Sequence, residues 1–221
     1  MKEIVFLEPN RIDAVPYTTS KVVAEMTGVG HRYVKEQIFK QQKRLETFGL
    51  LVAYATESSG GRPEEIIKLN EGQATLLITF LKNTDIVADF KTELVKQFIA
   101  MRQELMKRHE YRGQLKPIRR ELTDVIQEKY PDNIWAYKQY TDLAYKAVTG
   151  KTARKLREER GAGKKSNAVD YMTADEIRQV GKKQSQIAVM VEMGMKYDEV
   201  KSLMRVKGEL VAEASVKPTE Q

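Results

Sequence analysis

The chain has 221 residues, room for one large domain or two small ones, and its 41% hydrophobic and 31% charged residues allow a packed core under a highly charged surface. Its net charge of +7 favours polyanionic partners, nucleic acid first and membrane surface second. The lack of cysteine excludes disulfides and thiolate chemistry, and the two histidines, His31 and His109, are too far apart in sequence to suggest a zinc pair or a Ser/His/Asp relay.

The first ten residues, MKEIVFLEPN, are too short and too charged for a signal peptide, and no window approaches the ~20 apolar residues of a membrane span. A soluble, reducing, cytoplasmic setting without membrane contact is expected. Ile4 to Leu7 reads as a short strand ended by Pro9. Pro16 keeps Val15 out of helical geometry.

Thr18 to Arg44 reads as two helices joined by a tight turn. Ser20 is placed to cap the first, whose apolar side is Val22, Val23 and Met26. Gly28 and Gly30, on either side of Val29, break that pattern. The second helix turns Tyr33 or Val34, Ile38 and Leu45 inward, and is expected to stop near Gly49. Its other face holds Arg32, Lys35, Lys40, Lys43 and Arg44 against Glu36. A short helix, a glycine-containing turn and a basic helix make a DNA-reading helix-turn-helix. The same pattern also suits a plain helical hairpin with a solvated, lysine-rich face.

Leu50 to Glu57 and Glu65 to Leu69 are strand-like, with the turn signal Ser58-Ser59-Gly60-Gly61-Arg62-Pro63 between them. A hairpin directly after a basic helix has the arrangement of a winged helix, with Arg62 at the wing tip. The alternative is a two-stranded cap on the helices. Asn70 can cap a helix over Gln73 to Leu81, with Leu76, Leu77 and Phe80 apolar.

Thr84 then caps a long helix to about Arg108. Its apolar positions Val87, Phe90, Leu94, Phe98, Met101 and Leu105 follow a heptad. That seam serves either as a dimerisation surface, giving a homodimer, or as a core helix of its own domain. Gly113 and Pro117 are expected to interrupt the helix. The expected division is 1–112 for the winged helix with its long helix, 113–213 for an all-helical domain, and 214–221 for a flexible tail.

In the second half, helices are expected over Ile118–Lys129 and Ile134–Val148. The aromatics Trp135, Tyr137, Tyr140 and Tyr145 fit a core better than a base-stacking surface. Residues 151 to 165 are strongly basic. Arg154, Lys155, Arg157, Lys164 and Lys165 are candidate phosphate contacts if this run is not a solvated loop. Gly161-Ala162-Gly163-Lys164-Lys165-Ser166 lacks the glycine spacing of a nucleotide-binding loop, and no strand precedes it. Thr173 and Glu176 form a capping box for a helix to Gly194, and a last helix starts near Tyr197.

These elements describe a mainly α chain: an N-terminal winged helix-turn-helix, a long linking helix and a C-terminal helical domain. Double-stranded DNA is the expected partner. Arg32, Tyr33 and Lys35 are placed for base edges, and Lys40, Lys43, Arg44 and Arg62 for phosphates. His31 lies near the turn and either bonds a phosphate or caps the fold. No cofactor or metal is called for, and no catalytic constellation is visible. The rival reading is an interaction protein that binds a regulatory protein of phage or host instead of DNA.

Pro16-Tyr17-Thr18-Thr19-Ser20-Lys21-Val22-Val23-Ala24-Glu25, followed by Gly30-His31, Val34 and Ile38, resembles the start of the Rha family of phage regulatory proteins. The likeness continues through the wing, Leu76 to Phe80, and Lys91, Phe98 and Met101, over roughly residues 10–105. Leu81-Lys82-Asn83-Thr84 departs from the glycine-led block expected there. Trp135-Ala136-Tyr137-Lys138-Gln139-Tyr140-Thr141-Asp142-Leu143 and Lys155-Leu156-Arg157-Glu158-Glu159-Arg160-Gly161 resemble the C-terminal domain of phage antirepressors. Together these resemblances imply a prophage-encoded DNA-binding regulator in a bacterial host cell. Family members are associated with interference with phage growth in hosts lacking integration host factor.

Overall fold

A computed structural model describes residues 2–55 and 63–204, which fall into two compact units. The first comprises residues 2–9, 13–55 and 63–103, the second residues 10–12 and 104–204. Arg62 and the tail from Ala212 lie outside the described residues, as does the end of the expected strand to Glu57.

In the first unit the expected strand at Ile4 to Leu7 is reduced to one bridge, between Phe6 and Tyr17. The Ile4 and Val5 side chains are buried, and their N–H groups donate to Oε1 of Gln97, at 2.9 and 3.3 Å. A side-chain amide thus takes the place of a neighbouring strand. Strand β1, Tyr17–Thr19, leads into helix α1, Ser20–Thr27. The cap of α1 is Thr19, which accepts from Val22 N at 3.1 Å; the expected cap, Ser20, lies inside the helix with its hydroxyl engaged elsewhere. Gly28 takes the left-handed conformation (φ 70°) that ends the helix, a conformation costly for any residue with a Cβ.

Helix α2, His31–Lys40, stops nine residues short of Gly49. Gln41 breaks it, the short helix α3 covers Gln42–Leu45, and a 3₁₀ turn covers Glu46–Phe48. Val34, Ile38 and Leu45, spaced 4 and 7 as on one helical face, keep pointing into the core across the break, and all three are fully buried.

Strands β2, Val52–Ala55, and β3, Glu65–Asn70, pair antiparallel, and β1 joins the other side of β3. The sheet order is β1-β3-β2. β3 is central, with Ile66, Ile67 and Leu69 buried. Asn70 and Gln73 form a reciprocal capping box at the start of helix α4, Glu71–Thr79.

Helix α5 runs unbroken from Asp85 to Lys129, through both Gly113 and Pro117. The expected break there is absent. A proline ring crowds the carbonyl four residues back. In α5 that carbonyl belongs to Gly113, the residue type freest to adjust its backbone. The burial of Leu115, Leu122 and Ile126 on either side keeps the helix going. The two units divide within α5, after Gln103.

The second unit packs the end of α5 with helices α6 (Ala136–Thr149), α7 (Ala153–Glu159), α8 (Ala174–Glu192) and α9 (Tyr197–Met204). One cluster joins Leu122, Tyr140, Leu143, Ile187 and Val200, and another Leu115, Tyr145, Leu156, Val169 and Val180. Tyr140 and Tyr145 are core residues, whereas Trp135 is exposed. Part of the basic run taken as a loop is helix α7. Thr152 caps it, and Leu156, its one large apolar residue, anchors it. The Thr173–Glu176 capping box opens α8 as read from the sequence.

Candidate nucleic-acid interface

Burial of Val34, Ile38 and Leu45 determines which side of α2 and α3 faces outward. Arg32, Tyr33, Glu36, Phe39, Lys40, Lys43 and Arg44 are exposed there. Arg32 Nε lies 3.0 Å from Glu36 one turn on, a fully solvated pair of little energetic weight. Among the described residues Lys40 and Lys43 make no ion pair, and the Arg44 guanidinium bonds the neutral Gln41 side-chain amide. Phe39, Lys40, Gln41, Gln42, Lys43, Arg44 and Glu46 line a concavity at the α2–α3 corner. The broken helix makes that corner, bringing its cations to one hollow instead of spreading them along a rod.

Lys35 differs from the other predicted contacts. Its side chain is largely covered, with Nζ 3.8 Å from Glu65 on β3. It lies on the flank of α2 against the sheet.

His31 has no ring nitrogen free for a phosphate. Nδ1 lies 2.8 Å from Glu64 Oε1 and Nε2 lies 2.9 Å from Ser20 Oγ. A carboxylate only accepts, so Nδ1 donates to Glu64. In the neutral ring Nε2 accepts from the Ser20 hydroxyl, whose oxygen accepts from Ile67 N at 3.0 Å. Lys21 donates to the other Glu64 oxygen at 2.8 Å. His31 therefore joins the start of α1, the start of α2 and the foot of β3. The Lys21 hydrogen bond, with the one from His31, holds the Glu64 carboxyl below its ordinary value, and Glu64 raises the Lys21 ammonium. The roles of Ser20, Lys21 and Glu64 around His31 were not legible in the sequence, because no spacing signal links residues 11, 33 or 43 positions apart.

Of the two readings of the apolar seam on α5, the core helix accounts for its first four positions. Val87, Phe90, Leu94 and Phe98 are buried in the first unit's core with Ile4, Val23, Leu69 and Leu77, and Met101 packs against it. Leu105 is half-buried. The N-terminal segment at Ile4 and Val5 covers what a winged helix alone would have left open.

In the second unit the basic candidates also divide. Arg154 pairs with Glu158 at 2.8 Å, and Lys155 is exposed. Arg157 turns inward and donates to the carbonyls of Lys164 and Ser166, at 3.2 and 3.1 Å, so it shapes the turn at Gly163–Ser166. That leaves the Lys164 and Lys165 side chains exposed, beside Arg11, Ser166 and Asn167 in a shallow concavity. Arg160, not among the candidates, grips Glu176 with both guanidinium nitrogens at 2.7 and 2.6 Å. Burial pushes the Glu176 carboxyl up, but the bonds from Arg160 and Thr173 outweigh it and hold it below its ordinary value.

Among the described residues no helix is long and apolar enough to cross a membrane. The family model of the phage regulatory protein Rha matches residues 18–103, ending where the first unit ends. This part of the chain is thus similar to phage regulatory proteins, and the likeness covers the helix pair, the sheet and the first half of α5. No curated protein matches the chain.

Proposed function

We propose that this chain is a phage regulator that binds double-stranded DNA through the outward face of α2 and α3. It acts stoichiometrically, in the cytoplasm of a bacterial host. The observation that carries this reading is the exposed set Arg32, Tyr33, Lys40, Lys43 and Arg44 on the side of α2–α3 opposite buried Val34, Ile38 and Leu45. Arg32 and Tyr33, in the first turn of α2, are placed to reach base edges in a major groove. Lys40, Lys43 and Arg44 follow at the corner and meet phosphates, which fix register without reading sequence. Arg62, between the two strands in sequence, is assigned to the same phosphate set. Lys35 contributes from the flank, and His31 holds the motif together without touching DNA. In the second unit Arg154, Lys155, Lys164 and Lys165 add phosphate contacts.

The test is selection of a DNA site by the full-length protein, followed by anisotropy titrations of variants. Arg32→Ala should cost about 1–3 kcal/mol on the selected site and relax its sequence preference. Lys40→Ala with Lys43→Ala should weaken all DNA alike and flatten the dependence of log affinity on log salt by about 0.9 for each phosphate no longer neutralised. Unchanged affinity and preference in both variants would remove this face from the reading.

A second reading rests on Ile134 and Trp135, exposed together at the start of α6 in the second unit. An exposed tryptophan is a common anchor of protein–protein contacts. It favours an antirepressor-type partner, a regulatory protein of phage or host. Loss of partner capture in Trp135→Ala, with DNA binding intact, would support it.

A further inference from the structure

β2 is at one edge of the sheet, and among the described residues no strand pairs with its outer side. Its four residues, Val52, Ala53, Tyr54 and Ala55, are all exposed. An open edge offers free N–H and C=O groups to another chain, and natural proteins blunt such edges with lysine, proline or a bulge. None of these protects β2. From Thr47 to Ala55 the sequence TFGLLVAYA has no charge and no proline, in a chain that is 31% charged. Phe48 and Leu50 next to it are also exposed, Leu50 at 81%.

The chemistry of this edge selects its occupant. With no cation along it, it has nothing to offer a phosphate backbone. A neutral edge is, however, complementary to itself, since a second copy brings no like charge against it. We propose that β2 pairs antiparallel with β2 of a second copy, around a two-fold axis midway between Ala53 and its own copy, making one six-stranded sheet. This does not depend on the DNA reading.

The register follows from the pleat. Opposed residues in an antiparallel pair lie on one face of the sheet, and successive residues alternate. A two-fold axis perpendicular to the sheet must therefore pass midway between one residue and its own copy. Val52 and Tyr54 share the face of Lys68 and Ile66, their partners on β3. Lys68 Nζ sits 5.5 Å from the centre of the Tyr54 ring and 4.1 Å from that of Tyr17, which keeps Tyr54 on that face. With the axis at Ala53, Val52 opposes Tyr54 of the second copy and Tyr54 opposes its Val52. Aromatic against β-branched is a favourable cross-strand pair. The two alanines on the axis face the helical side and need little room. An axis at Tyr54 or Val52 would lose both mixed pairs.

The chain has no cysteine, so a single introduced thiol reports on this register. In full-length Ala53→Cys the two thiols oppose each other, with Cα atoms about 4.5–5.5 Å apart, inside disulfide range. In Ala55→Cys they lie four positions apart along the strands, about 13 Å, and cannot bond. Mild oxidation should convert Ala53→Cys to covalent dimer and leave Ala55→Cys monomeric on a denaturing gel. Sedimentation velocity should show a dimer for the unsubstituted chain at tens of micromolar and a monomer for Val52→Lys, with its helical circular dichroism retained. A monomeric unsubstituted chain, a dimeric Val52→Lys, or equal cross-linking of both cysteine variants would each overturn the proposal. Should Val52→Lys fail to fold, the cysteine pair still decides it.

Discussion

His31 Nδ1 and Glu64 Oε1 are 2.8 Å apart across 33 residues of sequence. Through this contact the first turn of α2 is held to the foot of β3, while the other ring nitrogen holds the first turn of α1 at Ser20. His31→Ala leaves the Ser20 hydroxyl with its Ile67 bond alone and removes the bridge to Glu64. It should lower stability by about 1–3 kcal/mol in urea denaturation. DNA affinity should fall with it, although His31 does not face outward. A variant as stable as the original would show that the helix pair holds its geometry without the bridge.

The lowered carboxyls of Glu64 and Glu176 make a statement about acid stability. A group whose pKa is lower in the folded state stabilises fully above its unfolded value, about 4.3 for glutamate. That stabilisation is lost as pH falls through the lowered folded value. Stability measured from pH 6 down to pH 3 should therefore drop, and Glu176→Gln should drop less steeply than the unsubstituted chain over the same window. Parallel curves would mean that Glu176 titrates alike folded and unfolded.

The heptad positions of α5 should respond as core. Leu94→Ala is expected to cost about 2–5 kcal/mol, because the cavity lies among well-packed neighbours. Val95→Lys, one residue on and exposed, should stay within about 0.5 kcal/mol. If Leu94→Ala changed the association state while leaving the unfolding midpoint unmoved, the seam would be an interface after all.

Pro117 is exposed inside a helix and donates no hydrogen bond there. Pro117→Ala restores the donor and a good helix former, and should raise stability by roughly 1–3 kcal/mol. A lower melting temperature in this variant would show that the helix is adapted to the proline in a way that alanine cannot replace.

Arg157→Ala separates two kinds of basic residue in the second unit. Its guanidinium holds the carbonyls of Lys164 and Ser166. Loss of that hold should weaken DNA binding about as much as Lys164→Ala with Lys165→Ala, while the lysine pair alone should leave the thermal melt unchanged. An Arg157→Ala protein with full DNA affinity and a lower melting temperature would confine this residue to the fold.

Local chemistry made much of this protein legible from sequence. The glycine turn between α1 and α2, the Asn70 cap, the Thr173–Glu176 capping box and the inward set Val34, Ile38 and Leu45 each depend on residues within a few positions of one another, and the structure has all of them. The likeness of residues 18–103 to Rha proteins was legible for the same reason, since it rests on a contiguous pattern.

Tertiary packing decided the rest. A heptad states that one side of α5 is apolar, but not what covers it; Ile4 and Val5, brought in by Gln97 some ninety positions away, made that side a core. A histidine near a basic turn is equally a ligand for phosphate or a brace, and only the arrival of Glu64 and Ser20 at its two nitrogens made it a brace. Arg157 and Lys164 look alike in a basic run, yet the carbonyls that a folded turn presents draw one inward and leave the other in solvent. Sequence encodes each residue's capacity to bond or to avoid water. Which capacity is satisfied depends on distant neighbours, and only the folded chain supplies them.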